Sequence, residues 1–439
     1  MTDLLAVRTV TCFIVLGTST DAWPALLSEA VAFVGQVAND LRADGFTVQT
    51  LRLITNPFGE YLDTVNPEAA LQGLEKIKQI LHAIETQEKV LLSGTRIRFS
   101  IGAADAKTLS LVPTLIRSGG DLANCCINVP ADTNGVVDSE LVHEAAKVVT
   151  ELGATTDRGE GNFNFTINFN GPTKCPYFPA GCHFEEEEKT FVIGLEYPNL
   201  LVDVLKKLAG DRSSVITNPS TKNAEWKNAA DAMRLSIEHH VRKIVEICRC
   251  AENSSSSSSN SSSSSSNSSS SIPVFKFGGI DSSPAPSKSA ESMCRVVELL
   301  GVEHFGASGT TECCALLTRV FKSICQNEVD PVPLVGFSGI MFAALEDKGL
   351  AEAAAMGYYD IRNLLTYSAV CGIGLDTVPI PFETSSNAIA RLAQDVGTMA
   401  YRLNKPLTIR LFPVPGLTAG EMTAFESEDL CNCTVFKVP

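Results

Sequence analysis

Cys371-Gly372-Ile373-Gly374-Leu375-Asp376 sets a thiol and a carboxylate five residues apart on a glycine turn. Glycine lets a backbone turn sharply or approach a ligand closely. Cys371 would act there as nucleophile or redox centre, with Asp376 carrying the proton. A reactive thiol needs a lowered pKa or a neighbouring base. The local sequence supplies no positive charge, so a purely structural cysteine competes with this reading.

Four further loops carry chemistry-capable groups. In Phe305-Gly306-Ala307-Ser308-Gly309-Thr310-Thr311-Glu312 a glycine turn with hydroxyls opens a helical pattern. Ser308, Gly309, Thr310 and Thr311 could hold an anionic group at the helix start, or serve as ordinary capping residues. In Cys175-Pro176-Tyr177-Phe178-Pro179-Ala180-Gly181-Cys182-His183, the histidine is one of only six in the chain. It is a candidate proton carrier or metal ligand, unless it is merely structural. Glu196, just beyond, is a ligand candidate. Asp281 follows the apolar run Val274–Phe277 and is a polar-ligand contact or the head of an Asx-turn. Ser338 and Gly339 sit in Gly336-Phe337-Ser338-Gly339, either a site of close backbone approach or a plain turn. His239-His240 lies in a helical pattern. Neighbours there point about 100° apart, so the pair reads as surface or packing rather than a chelate. The residues single out neither a metal nor a cofactor. Nucleotide-loop, zinc-protease and serine-hydrolase templates do not occur in the sequence.

The elements that must position these groups alternate. Strand patterns are Val10–Leu16, Phe46–Leu53, Arg96–Ile101, Cys125–Val129, Asn164–Phe169, Thr190–Leu195, Val274–Phe277, Pro333–Phe337, Thr377–Ile380 and Thr408–Pro413. Helical patterns fall between most of them, among them Ala22–Ala43, Pro67–Thr86, Ala106–Arg117, Ser139–Leu152, Asn223–Cys250 and Ser386–Leu403. Repeated βα alternation implies an α/β fold with a largely parallel sheet or barrel. Ligands in such folds gather beyond the C-terminal strand ends. The whole chain, 1–439, reads as one large domain. Residues 254–271 are serine broken only by Asn260 and Asn267. A disordered insertion at 252–271 follows, since such a tract has no apolar face to bury.

Composition bounds the partners. The 439 residues are 44% hydrophobic and 19% charged, with a formal net charge of -15. The pI is about 4.9 and the mean hydropathy +0.11. An acidic surface disfavours nucleic acid. No apolar run reaches the roughly 18 residues that span a membrane. The 14 cysteines include the adjacent pairs Cys125-Cys126 and Cys313-Cys314 within apolar runs. That pattern reads as reduced buried thiols and a cytoplasmic location. A small polar molecule is the expected partner, and the chain is compatible with a homo-oligomer.

Six segments together resemble the uncharacterised protein family 0210, also called domain of unknown function 711. They are GIDSSPAPSKS (279–289), FGASGTTECCALL (305–317), GFSGIMFAALEDKG (336–349), CGIGLDTVPIP (371–381) and, more loosely, PYFPAGCH (176–183) and FVIGLE (191–196). The resemblance implies a fold similar to pyruvate formate-lyase-like glycyl radical enzymes, a barrel of parallel βα units in two opposed halves with additional α+β elements. By that analogy Cys371 takes the place of the thiyl cysteine on a loop inside the barrel. The segment Arg410-Leu411-Phe412-Pro413-Val414-Pro415-Gly416-Leu417 departs from those enzymes' C-terminal radical-glycine motif. The functional expectation is a pocket of strand-end loops that binds a small polar metabolite, with transformation of that metabolite as its enzymatic version. Its rival is a non-catalytic regulatory or scaffold protein linked to amino-acid metabolism.

Overall fold

The computed structural model describes residues 4–172, 174–184, 188–257, 275–326 and 331–439. Nine strands form one sheet: β1 (Ala6–Ile14), β2 (Val48–Thr55), β3 (Ile97–Ala104), β4 (Asn124–Val129), β5 (Phe165–Phe169), β6 (Thr190–Glu196), β7 (Lys276–Pro284), β8 (Gly374–Pro381) and β9 (Leu407–Val414). Their order is β7-β6-β1-β2-β3-β4-β5-β9-β8. Strands β1 to β5 are mutually parallel. Pairs β6/β7 and β8/β9 are each parallel within themselves and join that block antiparallel, at β1 and β5.

The sheet is mostly parallel and is not closed, which corrects the barrel expectation to this coarser form. β7 and β8 are its two edges. Expected strand Pro333–Phe337 is absent; only a single bridge joins Leu334 to Ile280. Proline and a left-handed Gly336 keep this segment from running as a regular strand. It nevertheless spans the gap between the edges. Ile280 N donates to Pro333 O and Val335 N to Ile280 O, each at 3.0 Å, while Ala344 N donates to Asp376 O at 3.1 Å.

Sequence periodicity explains the layers. The helix Trp23–Ala43 buries Leu27, Ala30, Val31, Val34, Ala38 and Leu41 on one stripe, the spacing that turns one helical face to a sheet. The opposite, inner sheet face is polar: Thr9, Thr11, Ser100, Asn124, Thr166, Asn168, Thr408 and Arg410 are all buried. Caps fix several helix starts, such as Asn66 accepting from Glu68 N and Asp138 from Leu141 N. The helix beginning at Lys222 runs to Ser257. Residues 252–257 of the expected insertion are therefore helix, and 258–271 lie outside the described residues. Among the described residues no helix is long and apolar enough to cross a membrane.

Two glycine loops cross in direct backbone contact. Gly372 N donates to Ile340 O at 2.7 Å. A Cβ on Gly372 would come within 2.8 Å of the Gly339 backbone, and one on Gly339 within 2.7 Å of Gly372 Cα. Neither obstacle is a movable side chain. Gly372→Ala and Gly339→Ala should each cost about 1–3 kcal/mol by overpacking. Gly17 provides the control, because nothing lies within 4 Å of the place its Cβ would take. Gly17→Ala should stay within about 0.5 kcal/mol of wild type. Urea midpoints measure all three, and equal midpoints would show that the crossing is slack.

Candidate functional site: an arginine-lined cavity

Residues from β1, β2, β3, β4, β5, β8 and β9 line one cavity of about 110 Å³. The sheet must therefore curl until strands from both ends face the same space. Four arginines converge there: Arg8, Arg52, Arg98 and Arg410. Arg52 and Arg98 are register partners on the parallel pair β2/β3, so their side chains leave the same face side by side. Arg8 occupies a register shift between Val7 and Thr9 where β1 meets β6. An extra residue of this kind re-aims a side chain.

Each guanidinium has a different environment. Arg410 is held by both oxygens of Asp376, Nε to Oδ1 at 2.7 Å and Nη2 to Oδ2 at 3.1 Å. Its Nη2 also donates to Glu346 Oε1 at 2.6 Å, and the Phe163 ring lies 5.0 Å from its centre. Burial works against the Arg410 charge, but Asp376 and Glu346 more than restore it. Burial, then Asp376, pushes the Glu346 carboxyl up against the pull of Arg410. At the rim Arg98 meets Asp121 at 3.2 Å and Asp429 at 3.4 Å. Arg8 lies 3.5 Å from Glu196, which also accepts from Gln49 at 2.8 Å.

Arg52 is the exception. Its Nε donates to Thr50 Oγ1 at 3.3 Å and its Nη1 to Pro176 O at 3.2 Å. The Phe178 ring stacks 4.9 Å from its centre. Among the described residues no carboxylate pairs with it. Burial, together with the charges of Arg8 and Arg98, pushes its pKa down to about 9. It stays protonated at neutral pH, at a cost that an incoming anion would relieve.

The residues singled out by sequence divide between cavity and scaffold. Asp376 lines the cavity, and Glu196 stands behind Arg8. Asp281 is fully buried and grips backbone instead: its carboxylate accepts from Ser283 N at 2.9 Å, Phe337 N at 2.8 Å and Ser338 N at 3.0 Å. Ser338 Oγ donates to Val335 O, and Gly339 N donates to Ser283 Oγ. These three residues hold the crossing segment, so that Phe337, Met341 and Glu346 reach the cavity. Ser308 and Gly309 are exposed on the outside. Thr310 is buried, its hydroxyl donating to Ala307 O and accepting from Gly306 N, and it opens the helix Thr310–Lys322, in which Thr311 comes second. The N-cap position is Gly309 and no side chain caps this helix, so the hydroxyls do not act as ordinary capping groups. His183 is buried, its backbone N–H donating to Thr55 O at 3.2 Å and its ring 5.7 Å from that of Phe13. Tyr177 to Ala180 of the same loop line the cavity, whereas His183 does not. Cavity and strand ends also differ from expectation: Arg8, Arg52, Arg98, Asn124 and Thr166 lie in the first halves or middles of their strands.

Cys371 is buried in the main apolar core and does not line the cavity. Its Sγ accepts from Gly374 N at 3.3 Å, and its carbonyl accepts from Lys405 Nζ. Among the described residues no group of three or more His, Cys, Asp or Glu could hold a metal ion. The sequence does carry a signal for this cavity's lining: charged Arg52, Arg98 and Arg410 sit inside otherwise apolar strand patterns.

Comparison with known proteins agrees with the family resemblance. The family described as "Uncharacterised ACR (DUF711)" matches residues 1–427. A UPF0210 protein of Pyrobaculum islandicum is 27% identical over 402 residues, 90% of this chain and 80% of the relative. One from Methanocaldococcus jannaschii is 23% identical over 366 residues, 80% of this chain and 72% of its own length. One from Desulforudis audaxviator reaches 37% identity over 153 residues, 34% of this chain and 33% of its own.

The geometry makes two measurable demands. With Cys371 1% exposed and Cys250 exposed, alkylation of the native protein should label Cys250 first and Cys371 no faster than Cys313 or Cys314. Preferential labelling of Cys371, read by mass spectrometry, would restore it as a reactive thiol. Arg410→Met should cost about 3–5 kcal/mol at neutral pH, because it strands two buried carboxylates. A carboxyl whose native pKa is raised binds its proton more tightly in the native state. Stability is then lost as pH rises from the ordinary glutamate value of 4.5 through the raised one. The defect of Arg410→Met should accordingly shrink on acidification; a pH-independent loss in denaturant titrations would contradict the assignment. With a family match running across nearly its whole length, the chain belongs to the DUF711 (UPF0210) family.

Proposed function

We propose that the cavity binds a small anionic metabolite, with Arg52 as its anchor and Arg8 and Arg98 flanking it. The observation that carries this reading is the Arg52 guanidinium: half-buried, beside two other arginines, and hydrogen-bonded to no carboxylate among the described residues. Such a cation adds little to stability, because a partly buried charge with no hydrogen-bonded counter-ion is costly. Charge-assisted bonds to a carboxylate, phosphate or related group would offset that cost. The cavity's volume fits a small molecule rather than a polymer. Thr50, Asn124 and Tyr177 supply neutral polar contacts around the anchor.

The lining favours recognition over covalent catalysis. Among the described residues it contains no cysteine, serine, lysine or histidine. Thiyl or nucleophilic chemistry at Cys371 lacks support, since that thiol lies in the core. Glu346 is the group best placed to move a proton, with its carboxyl pushed upward by burial and by Asp376. A transforming role would therefore run through Glu346 as acid or base. The regulatory reading needs only the anchor.

Arg52→Met tests the proposal. Binding of inorganic phosphate, acetate and succinate is measured by calorimetry on wild type and variant. At least one should bind wild type, and the variant should lose about 10–100-fold in affinity, the worth of a charged hydrogen bond. The unliganded variant should be no less stable than wild type within about 1 kcal/mol, because a buried cation and its repulsions are removed. Undiminished binding, or a wild type that binds none of the three, would overturn the assignment.

A further inference from the structure

The anchor explains one imbalance in the cavity and exposes a second of opposite sign. Arg410 faces two carboxylates, Asp376 and Glu346, so the ionised trio carries one negative charge in excess. Glu346 spends Oε1 on Arg410, and its Oε2 accepts no hydrogen bond among the described residues. Arg52 shows the mirror image: Nε and Nη1 are used, and Nη2 donates to nothing among the described residues. Both residues line the same cavity. The charge of Glu346 favours protonated Arg52. Asp429 adds to the negative side and Arg8 opposes it.

A ligand that is only an anion satisfies Arg52 and leaves Glu346 facing it. A ligand that is only a cation meets Arg52 with Arg8 and Arg98 behind it. Opposite charges at two ends of one ligand would satisfy both free atoms and repel neither. We infer that the cavity selects a dipolar molecule, whose anionic group pairs with Arg52 and whose protonated nitrogen pairs with Glu346, the chemistry of a free α-amino acid. This inference rests on the anion-anchor reading and narrows it. Glu346 is then a specificity-determining residue: it distinguishes an amine from its absence.

The test uses ligands matched in everything but the nitrogen. L-alanine, L-valine, L-aspartate and L-phenylalanine are titrated against propanoate, 3-methylbutanoate, succinate and 3-phenylpropanoate by calorimetry on the full chain. The best-binding amino acid should bind at least about 10-fold more tightly than its partner acid, the scale of one charged hydrogen bond. Acetylating its nitrogen should remove that advantage without any change to the protein. Glu346→Gln should bring the ratio of the two affinities close to one while leaving the plain acid bound. Arg52→Met should weaken both members of the pair. If plain acids bind through Arg52 as well as or better than the amino acids, the dipolar inference is overturned and the anion anchor survives. An amine advantage that persists in Glu346→Gln overturns the role given to Glu346. If neither these compounds nor inorganic phosphate bind, both readings fall together.

Discussion

The bond system of Arg410 is the point on which architecture and cavity both depend. Its guanidinium comes from β9, Asp376 from the neighbouring edge strand β8, and Glu346 from the segment that crosses between the sheet edges. All three are nearly excluded from water, with side-chain exposures of 6%, 5% and 13%. Buried ions are costly unless geometry and further hydrogen bonds compensate. Here the fork of Arg410 is used on both acids, on Phe163 O at 3.2 Å and against the Phe163 ring. The inner sheet face could be polar only because such partners exist. The same arrangement fixes where Glu346 points and thus what the cavity can recognise.

The βα framework was legible because each element carries its own period. Phe46–Leu53 alternates, and β2 occupies Val48–Thr55; Ala22–Ala43 keeps helical spacing, and its helix spans Trp23–Ala43. The cavity was not legible for a physical reason. Alternation reveals that Arg52 and Leu53 face opposite ways, but not whether the polar side meets water or an enclosed space. That depends on the sheet curling over its nine strands, a long-range property. Asp376 stands out in the sequence because its glycine turn advertises it. Arg8 does not, because a bulge, visible only in strand pairing, turns it inward.

The glycine loops mislead in an instructive way. Glycines that permit close approach suggest a ligand as the thing approached. Gly339 and Gly372 instead approach each other, and Asp281 supports that crossing from beneath. The loops converge on one structural task, holding the segment from which Phe337, Met341 and Glu346 project. Their chemistry is one layer removed from the cavity. Thr310 likewise spends its hydroxyl on the backbone of the preceding turn, at Ala307 O and Gly306 N.

An uncapped sheet of nine strands would expose two rows of unpaired peptide groups, each a template for another chain. The crossing segment reduces that hazard at both ends. It occupies both backbone groups of Ile280 on β7 and the carbonyl of Asp376 on β8, while Phe436 N takes the carbonyl of Pro379. Pro379 and Pro381 further strip β8 of donors. The segment that delivers Glu346 thus also acts as a guard against self-association by strand addition. A lesion that loosens it would threaten solubility as well as recognition, so selection on either property preserves the other.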